Sequence, residues 1–181
     1  MEYKVAVIIP TLNEEKFIAR CLDSVIEQSY PFRDMDVMVV DGGSNDRTRE
    51  IVEEYGRKYI NIRFIHNPGR IQSIAFNIGV ENSDAPYIVR LDAHALYNKD
   101  YIEKCIAGLQ NDTQIGNVGG RCKILPFNDT LWANTNAILN YSRFGIGGSA
   151  FRVGVKPDFV DSVPFGAFPR TVFEKVGGMR E

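Results

Sequence analysis

The sequence is short of cysteine and histidine and carries no excess of one charge. Three cysteines occur among 181 residues, Cys21, Cys105 and Cys122, an odd number at wide spacing that forms neither a closed set of disulfides nor a ligand cluster. We expect reduced thiols in a cytosolic setting. Lysine and arginine number 21 against 23 aspartate and glutamate, a formal charge of −2. This balance disfavours a general electrostatic grip on nucleic acid, so no nucleic-acid partner is expected.

Long apolar runs and the common glycine-rich phosphate motifs are also missing. No apolar stretch approaches the roughly 18 residues that span a bilayer, and the first residues, Met1-Glu2-Tyr3-Lys4, do not resemble a signal peptide. The chain has no G-x-G-x-x-G after its first predicted strand and no G-x-x-x-x-G-K-[ST]. These absences remove most of the case for dinucleotide oxidoreduction and for P-loop hydrolysis.

Hydrophobic residues make up 44% of the chain, and they alternate between two periods. Short β-branched runs predict strands at residues 5–9, 35–40, 62–65 and 87–91, and Pro10 is expected to stop the first of them. Helical apolar spacing after each run predicts a helix, the first capped by Asn13 or Thr11 and the third ended with the help of Gly79. The pattern βαβαβαβα predicts an α/β fold with a mainly parallel sheet covered by helices on both faces.

The rhythm weakens after residue 115. We predict a strand near residues 117–124, a helix over 132–141 and a glycine-rich loop at 145–154. Residues 160–178 then predict a strand, a turn at Phe165-Gly166 and a short helix from Arg170 to Val176. No linker interrupts the chain, so one domain over residues 1–181 is expected.

Polar residues follow each predicted strand, where ligands of open α/β sheets bind. After the second strand, Asp41 can accept a hydrogen bond from a base N–H, and two glycines allow close approach. Arg70, at a helix start, suits a phosphate. Asp92 and His94 can both reach a divalent ion. Plainer roles stay open: a turn for Asp41, a surface position for Arg70, a hydrogen-bonded turn for His94 and a helix-start charge for Glu14.

Five segments in order resemble the inverting glycosyltransferases of family 2, which have the Rossmann-like GT-A fold and build polysaccharides and glycolipids. The matching segments are residues 7–15, 39–48, 67–69 with 75–79, 87–94 and 176–178. The triplet Asp92-Ala93-His94 and residues 163–168 most resemble the succinoglycan-type enzymes of exopolysaccharide synthesis. The resemblance covers most of the chain.

This resemblance implies a nucleotide-sugar donor, expected to be UDP-linked, and a glycan or lipid-linked acceptor. The implied nucleotide-binding residues are Pro10, Thr11, Asn13, Glu14, Asp41, Gly42, Arg70, Asp92 and Ala93. The family's aspartate-x-aspartate is Asp92-Ala93-His94 here, so the implied ligands of a divalent cofactor, Mn²⁺ or Mg²⁺, are Asp92 and His94. An imidazole in this place favours Mn²⁺ and removes one negative charge.

The resemblance also implies that the family's general base lies beyond Glu181, which leaves the catalytic residue unassigned. We expect residues 1–112 to form the nucleotide-binding half and residues 113–181 part of the acceptor-binding half. An absent C-terminal region would then associate with the membrane, and the full protein would work in the cytoplasm at the inner face of the plasma membrane. Two alternatives remain: a nucleotidyltransferase, or a non-catalytic nucleotide-sugar-binding fragment.

Overall fold

A mostly parallel sheet lies at the centre of the protein. The computed structural model describes residues 2–126, 129–139, 158–160 and 163–180. In these ranges the strand order is β3-β2-β1-β4-β5, and only β5 is antiparallel to its neighbour. The strands are β1 (Val5–Thr11), β2 (Met35–Asp41), β3 (Ile62–His66), β4 (Tyr87–Arg90) and β5 (Ala167–Pro169). The predicted α/β fold is confirmed.

Helices cover both faces of this sheet. They are α1 (Ile18–Ile26), α2 (Thr48–Lys58), α3 (Gln72–Glu81), α4 (Tyr101–Asn111) and α6 (Arg170–Val176), with a short 3₁₀ turn at Phe32–Asp34. A further helix, α5 (Leu131–Leu139), lies in the stretch of chain between α4 and β5. Val5, Val7 and Ile9 belong to one apolar core with α1, α2 and α4. Ala6 and Ile8 belong to a second core with α3. Because every residue of β1 is buried, the strand reads as a continuous apolar run rather than an alternating one.

Pro10 does not end the first strand, contrary to the expectation from its missing N–H. The Ile8 carbonyl accepts from Leu91 on the β4 side, whereas the Thr11 carbonyl accepts from Gly42 on the β2 side. Alternate residues of a parallel strand bond to the same neighbour, so Pro10 faces the β4 side. Pairing with β4 ends at Ile8, and the proline therefore breaks no ladder bond.

The predicted cap of the first helix is wrong. Helix α1 begins at Ile18 with no side-chain cap. Thr11 is the last residue of β1, and its hydroxyl donates to the Ile9 carbonyl at 2.9 Å. The Asn13 side chain instead accepts from the Asn45 N–H at 2.8 Å. Both side chains are held by neighbouring loops and strands, which compete with capping.

Gly79 does not end the third helix either, since α3 continues to Glu81. A Cβ at this position would lie 2.5 Å from the side chain of Ile8, which is fully buried in the centre of β1. The glycine therefore lets the helix approach the sheet closely, and its value lies in packing rather than in termination.

We expect Gly79→Ala to destabilise the protein by up to about 2 kcal/mol. Overpacking a core costs about 1–3 kcal/mol, and the better helix propensity of alanine returns about 1 kcal/mol. Gly108→Ala in α4 is the matched control, because its Cβ would meet Val118 at 3.3 Å. Urea unfolding of the two variants measures the difference, and equal stabilities would show that α3 can move away from Ile8.

The chain divides into two compact units, one of residues 1–118 with 165–181 and one of residues 119–164. The second unit contains α5, which confirms most of the predicted helix at 132–141; residues 140–141 and the glycine-rich loop at 145–154 lie outside the described residues. The predicted strand at 117–124 is wrong, because only Val118 forms a bridge, to Ala167. The turn falls at residues 164–165, and the strand follows it as β5. Helix α6 has the predicted bounds.

Arg170, the first residue of α6, binds the C-terminal part of the first unit to the end of α3 and to the connection that follows it. Its guanidinium donates to the carbonyls of Ala85 at 2.8 Å and Val80 at 3.2 Å, and to that of Ser83. Asn77 of α3 exchanges two hydrogen bonds with the backbone of Met179, at 2.8 and 2.9 Å. In the described part of the chain, no helix has the length and apolar character needed to cross a bilayer.

Candidate functional site

A cavity of about 240 Å³ opens where β1 and β4 end and where α3 begins. The residues that line it come from the end of β1, from the connections after β1, β3 and β4, and from the start of α3. They are Pro10, Thr11, Leu12, Glu14, Asn67, Arg70, Ile71, Gln72, Ala75, Asp92, Ala93 and His94. This is the edge at which a parallel sheet binds its ligand.

Most of the residues singled out in the sequence meet at this cavity. Its lining includes Pro10, Thr11, Glu14, Arg70, Asp92, Ala93 and His94, whereas Asn13, Asp41 and Gly42 lie outside the lining. Sequence reasoning missed Leu12, Asn67 and three residues at the start of α3, Ile71, Gln72 and Ala75. Their place in the sequence could have indicated them, because Leu12 directly follows Thr11 and the other four lie within five residues of Arg70.

Asp92 is held by its backbone as well as by its side chain. Its Oδ1 accepts from Arg90 Nη2 at 3.1 Å, and its N–H donates to the Tyr97 hydroxyl at 2.7 Å. Burial raises the pKa of Tyr97 far above its ordinary value, so this hydroxyl stays protonated. Burial also raises the pKa of Cys21, whose thiol donates to the Asp92 carbonyl, to about 12. Cys21 is therefore an inert packing group rather than a nucleophile.

His94 and Glu14 contact each other across two connections. His94 Nδ1 lies 2.8 Å from Glu14 Oε1, and the side chains are 60% and 18% exposed. The Glu14 N–H donates to Thr48 Oγ1 at 2.8 Å, and its carbonyl accepts from Phe17 and Ile18 at the start of α1. The glutamate backbone is thus fixed from both sides.

Arg70 provides positive charge at the cavity. Its Nε donates to the Gly42 carbonyl at 3.2 Å, and its backbone adopts a positive φ of 61°. Gly42 lies close to this backbone, since a Cβ on Gly42 would contact the Arg70 Cα at 3.4 Å. Among the described residues no carboxylate pairs with Arg70, which leaves most of its N–H groups for an anion.

Asp41 faces its own loop. Its Oδ2 accepts from the N–H groups of Gly43 and Ser44, both at 2.9 Å, and its Oδ1 accepts from the Ser44 hydroxyl. The carboxylate is 2% exposed. These hydrogen bonds shape the connection from β2 to α2, which fits the turn role, and the base-binding role of Asp41 stays a prediction.

That connection is joined to the one after β1 by backbone-to-side-chain hydrogen bonds in both directions. Asn13 donates to Ser44, Glu15 donates to Asp46, and Arg47 donates back to the Glu15 side chain. Asp46 also accepts a hydrogen bond from the Thr48 N–H at the start of α2. Burial raises the pKa of Asp46, but the hydrogen bonds from Thr48 and from the Glu15 N–H together outweigh burial and lower the pKa below its ordinary value. These hydrogen bonds therefore hold the connection that contains Glu14 against the connection after β2.

The donor set at the cavity fits a divalent cation that a ligand would help to hold. No group of three or more His, Cys, Asp or Glu forms a metal site among the described residues. Asp92 Oδ2 and His94 Nε2 nevertheless make no hydrogen bond with the described part of the chain. Two protein ligands of this kind suit an ion whose other ligands are phosphate oxygens and water.

Comparison with known proteins agrees with this picture. PcManGT, a mannosyltransferase from Pyrobaculum calidifontis in complex with GDP-Man and Mn²⁺, superposes with a TM-score of 0.70 at 26% identity, covering 99% of this chain and 48% of that one. TarS of Staphylococcus aureus, in complex with UDP, superposes with a TM-score of 0.66 at 20% identity over 94% of this chain and 48% of that one, which shows the fold alone.

Two curated relatives match nearly the whole chain at 30% identity. One is the succinoglycan biosynthesis protein ExoA of Rhizobium meliloti, with 97% of this chain and 52% of that protein covered. The other is a dolichyl N-acetyl-glucosaminyl phosphate glucuronosyltransferase of Methanococcus voltae that acts with a diacetamido-dideoxy sugar, with 91% and 52% covered. The chain spans about half the length of these relatives. The model named "Glycosyl transferase family 2" matches residues 6–177. The predicted GT-A glycosyltransferase family and its succinoglycan-type relatives are confirmed, and the chain belongs to glycosyl transferase family 2.

Proposed function

We propose that this glycosyltransferase moves a sugar from a nucleoside-diphosphate donor to a hydroxyl of a glycan or lipid-linked acceptor, with inversion, in polysaccharide synthesis. The observation that carries the proposal is the cavity, where an arginine without a carboxylate partner lies with two unengaged ligand atoms, Asp92 Oδ2 and His94 Nε2, among the described residues. A diphosphate with its cation needs this combination of charges.

The cavity residues divide the work by their chemistry. Arg70 would meet the diphosphate with its free N–H groups, while Pro10 and Thr11 at the end of β1 border the nucleoside. Asp92 and His94 would hold Mn²⁺, or Mg²⁺, which when bound neutralises charge on the departing diphosphate. The GDP-Man and Mn²⁺ of PcManGT support both a nucleotide-sugar and a metal. Asp41 and Gly42 would act indirectly, because Asp41 shapes the connection after β2 and the Gly42 carbonyl in that connection accepts a hydrogen bond from Arg70.

We assign the donor to residues 1–112, because every residue that lines the cavity lies between Pro10 and His94. Residues 113–181 are then assigned to the acceptor. The dolichyl phosphate in the name of the Methanococcus voltae relative supports a lipid-linked acceptor. A lipid-linked acceptor agrees with an enzyme that acts at the cytoplasmic face of the membrane. Contact with the membrane would then be made by a part of the protein other than residues 1–181.

A thermal-shift comparison of UDP, GDP, ADP and NAD, each with and without Mn²⁺, tests the proposal. We expect UDP with Mn²⁺ to raise the melting temperature most. A ligand at 100 times its Kd adds about 2.7 kcal/mol to the free energy of unfolding. For a chain of this size that is roughly 5–11 °C. Arg70→Gln should reduce the shift with UDP and leave the smaller shift with uridine unchanged.

Equal responses to all four nucleotides would contradict a donor site that reads the base. A larger response to GDP would move the donor from uridine to guanosine and leave the reaction class unchanged. Binding of UDP without release of UDP from any UDP-sugar, with Mn²⁺ and acceptor mixtures present, would favour the nucleotide-sugar-binding module instead.

A further inference from the structure

The contact between Glu14 and His94 joins two connections that are 80 residues apart in the chain. Glu14 is anchored by Thr48 and by the start of α1, so its carboxylate is a fixed point. His94 follows the clamped backbone of Asp92, and Ala93 between them is 1% exposed. The histidine ring itself is more than half exposed, and among the described residues Glu14 is its hydrogen-bond partner. Without Glu14 the ring would be free to turn in water.

We propose that Glu14 is a positioning residue that holds His94 with its proton on Nδ1 and its Nε2 lone pair available to a divalent cation. The inference rests on the proposed function, in which that cation accompanies the donor diphosphate. A neutral imidazole has one N–H and one lone pair, and the partner of one nitrogen decides the state of the other. A carboxylate can only accept, so its contact with Nδ1 selects the Nδ1–H form.

Two physical effects follow from this arrangement. The first is orientation, because a ring held at Nδ1 loses less rotational freedom when Nε2 binds a metal. The second is charge, because His94 stands where the family has a second aspartate, and Glu14 returns a negative charge close to that position. Arg90 pairs with Asp92, and among the described residues neither Arg90 nor Arg70 forms an ion pair with Glu14, so neither cation neutralises the charge that Glu14 supplies.

The proton position is tested by ¹⁵N NMR of the imidazole at about pH 8, above the ordinary histidine pKa. The chain has two histidines, so His66→Gln leaves His94 as the single imidazole signal. We expect the Nδ1–H form in this background and a change to the Nε2–H form, which unconstrained side chains favour, in Glu14→Ala. Glu14→Gln keeps an oxygen acceptor and should restore part of the Nδ1–H population. An unchanged tautomer in Glu14→Ala would overturn the proposal.

The consequence for the metal is tested by titrating Mn²⁺ into protein saturated with UDP. Loss of a partner that orients a ligating histidine lowers metal affinity by about 10–100-fold, and we expect Glu14→Ala to fall in this range. Glu15→Gln removes the same charge one position along, where the side chain contacts the Arg47 backbone and not His94, and it should stay within about twofold of the wild type.

These readouts separate the inference from the proposed function. Wild-type protein that binds neither UDP nor Mn²⁺ defeats the proposed function, and the metal role of Glu14 falls with it, whatever the tautomer. Wild-type protein that binds both, with Mn²⁺ affinity unchanged in Glu14→Ala, overturns the inference alone. Correct folding of each variant is checked by its melting temperature without ligand.

Discussion

Asp92→Asn is expected to abolish the gain in UDP affinity that Mn²⁺ provides. Asparagine keeps the shape of the side chain and an oxygen for the Arg90 N–H, so the clamp around residue 92 should survive. It removes the negative charge from a site that is 16% exposed and offers a poorer oxygen to a hard cation. Because loss of an outer partner alone costs about 10–100-fold in metal affinity, we expect at least about 100-fold here.

Isothermal titration of UDP into wild-type and Asp92→Asn protein, each with Mn²⁺ and with EDTA, measures this effect. Asp100→Asn is the matched control. Asp100 lies just before α4, pairs with Lys104 and does not line the cavity. The substitution removes the same charge and should leave UDP affinity unchanged. If Asp92→Asn still showed the full Mn²⁺ effect, the cation would lie elsewhere, and the assignment of Asp92 as a ligand would be wrong.

Phe76→Ala is expected to cost about 3–5 kcal/mol of the free energy of unfolding, the largest stability effect that we predict. Phe76 is fully buried on the sheet side of α3. Its ring centre lies 6.2 Å from that of Phe168 in β5 and 5.6 Å from that of Phe173 in α6. Removing the ring therefore leaves a cavity where three elements meet, one of which is the antiparallel strand added from the end of the chain.

The melting temperature should fall by roughly 6–20 °C, measured by circular dichroism. Phe64→Ala on β3 is the comparison, because Phe64 is only partly buried and has Arg49 over its ring. The same truncation there should cost much less. Phe76→Leu keeps most of the volume and should lie between the wild type and Phe76→Ala. Equal losses for Phe64→Ala and Phe76→Ala would show that the three rings do not hold β5 and α6 to the sheet.

Local pattern predicts the parallel part of the fold because those strands are buried on both faces. Continuous apolar runs bounded by polar segments have few other ways to bury themselves, and β1 to β4 were found within one or two residues. Pro10 and Gly79 were misread for the same reason. Each was judged by its own backbone preference, whereas the neighbouring strand decides whether a missing N–H or a missing Cβ matters.

The later region was harder because its pairing is not local. Val118, Cys122 and Ile124 suggest one strand, but of these three residues only Val118 forms a β-bridge, and its bridge partner lies far along the chain at Ala167. Nothing near residue 118 in the sequence carries this information. The same holds for the antiparallel pairing of β5 with β4, which depends on contacts between Arg170 and the carbonyls that precede β4.

The site was predictable in position and less so in detail. Topology brings the ends of β1 and β4 together, so Thr11, Asp92 and His94 were placed at one edge by the fold alone. The inward turn of Asp41 follows from the Gly-Gly-Ser that comes after it, whose N–H groups a carboxylate can satisfy locally. The pairing of Glu14 with His94 required coordinates, because two exposed loops can meet in many ways.

Two hydrogen bonds, at 2.9 and 2.7 Å, join Val118 to Ala167, two residues of the first unit that flank residues 119–164 in the chain. They close the first unit on itself, so the sheet is complete before the intervening chain is considered. A stretch inserted between two residues paired in this way can differ in length or sequence between related enzymes without disturbing strand register. Changes in the length or sequence of residues 119–164 are thereby uncoupled from the stability of the sheet.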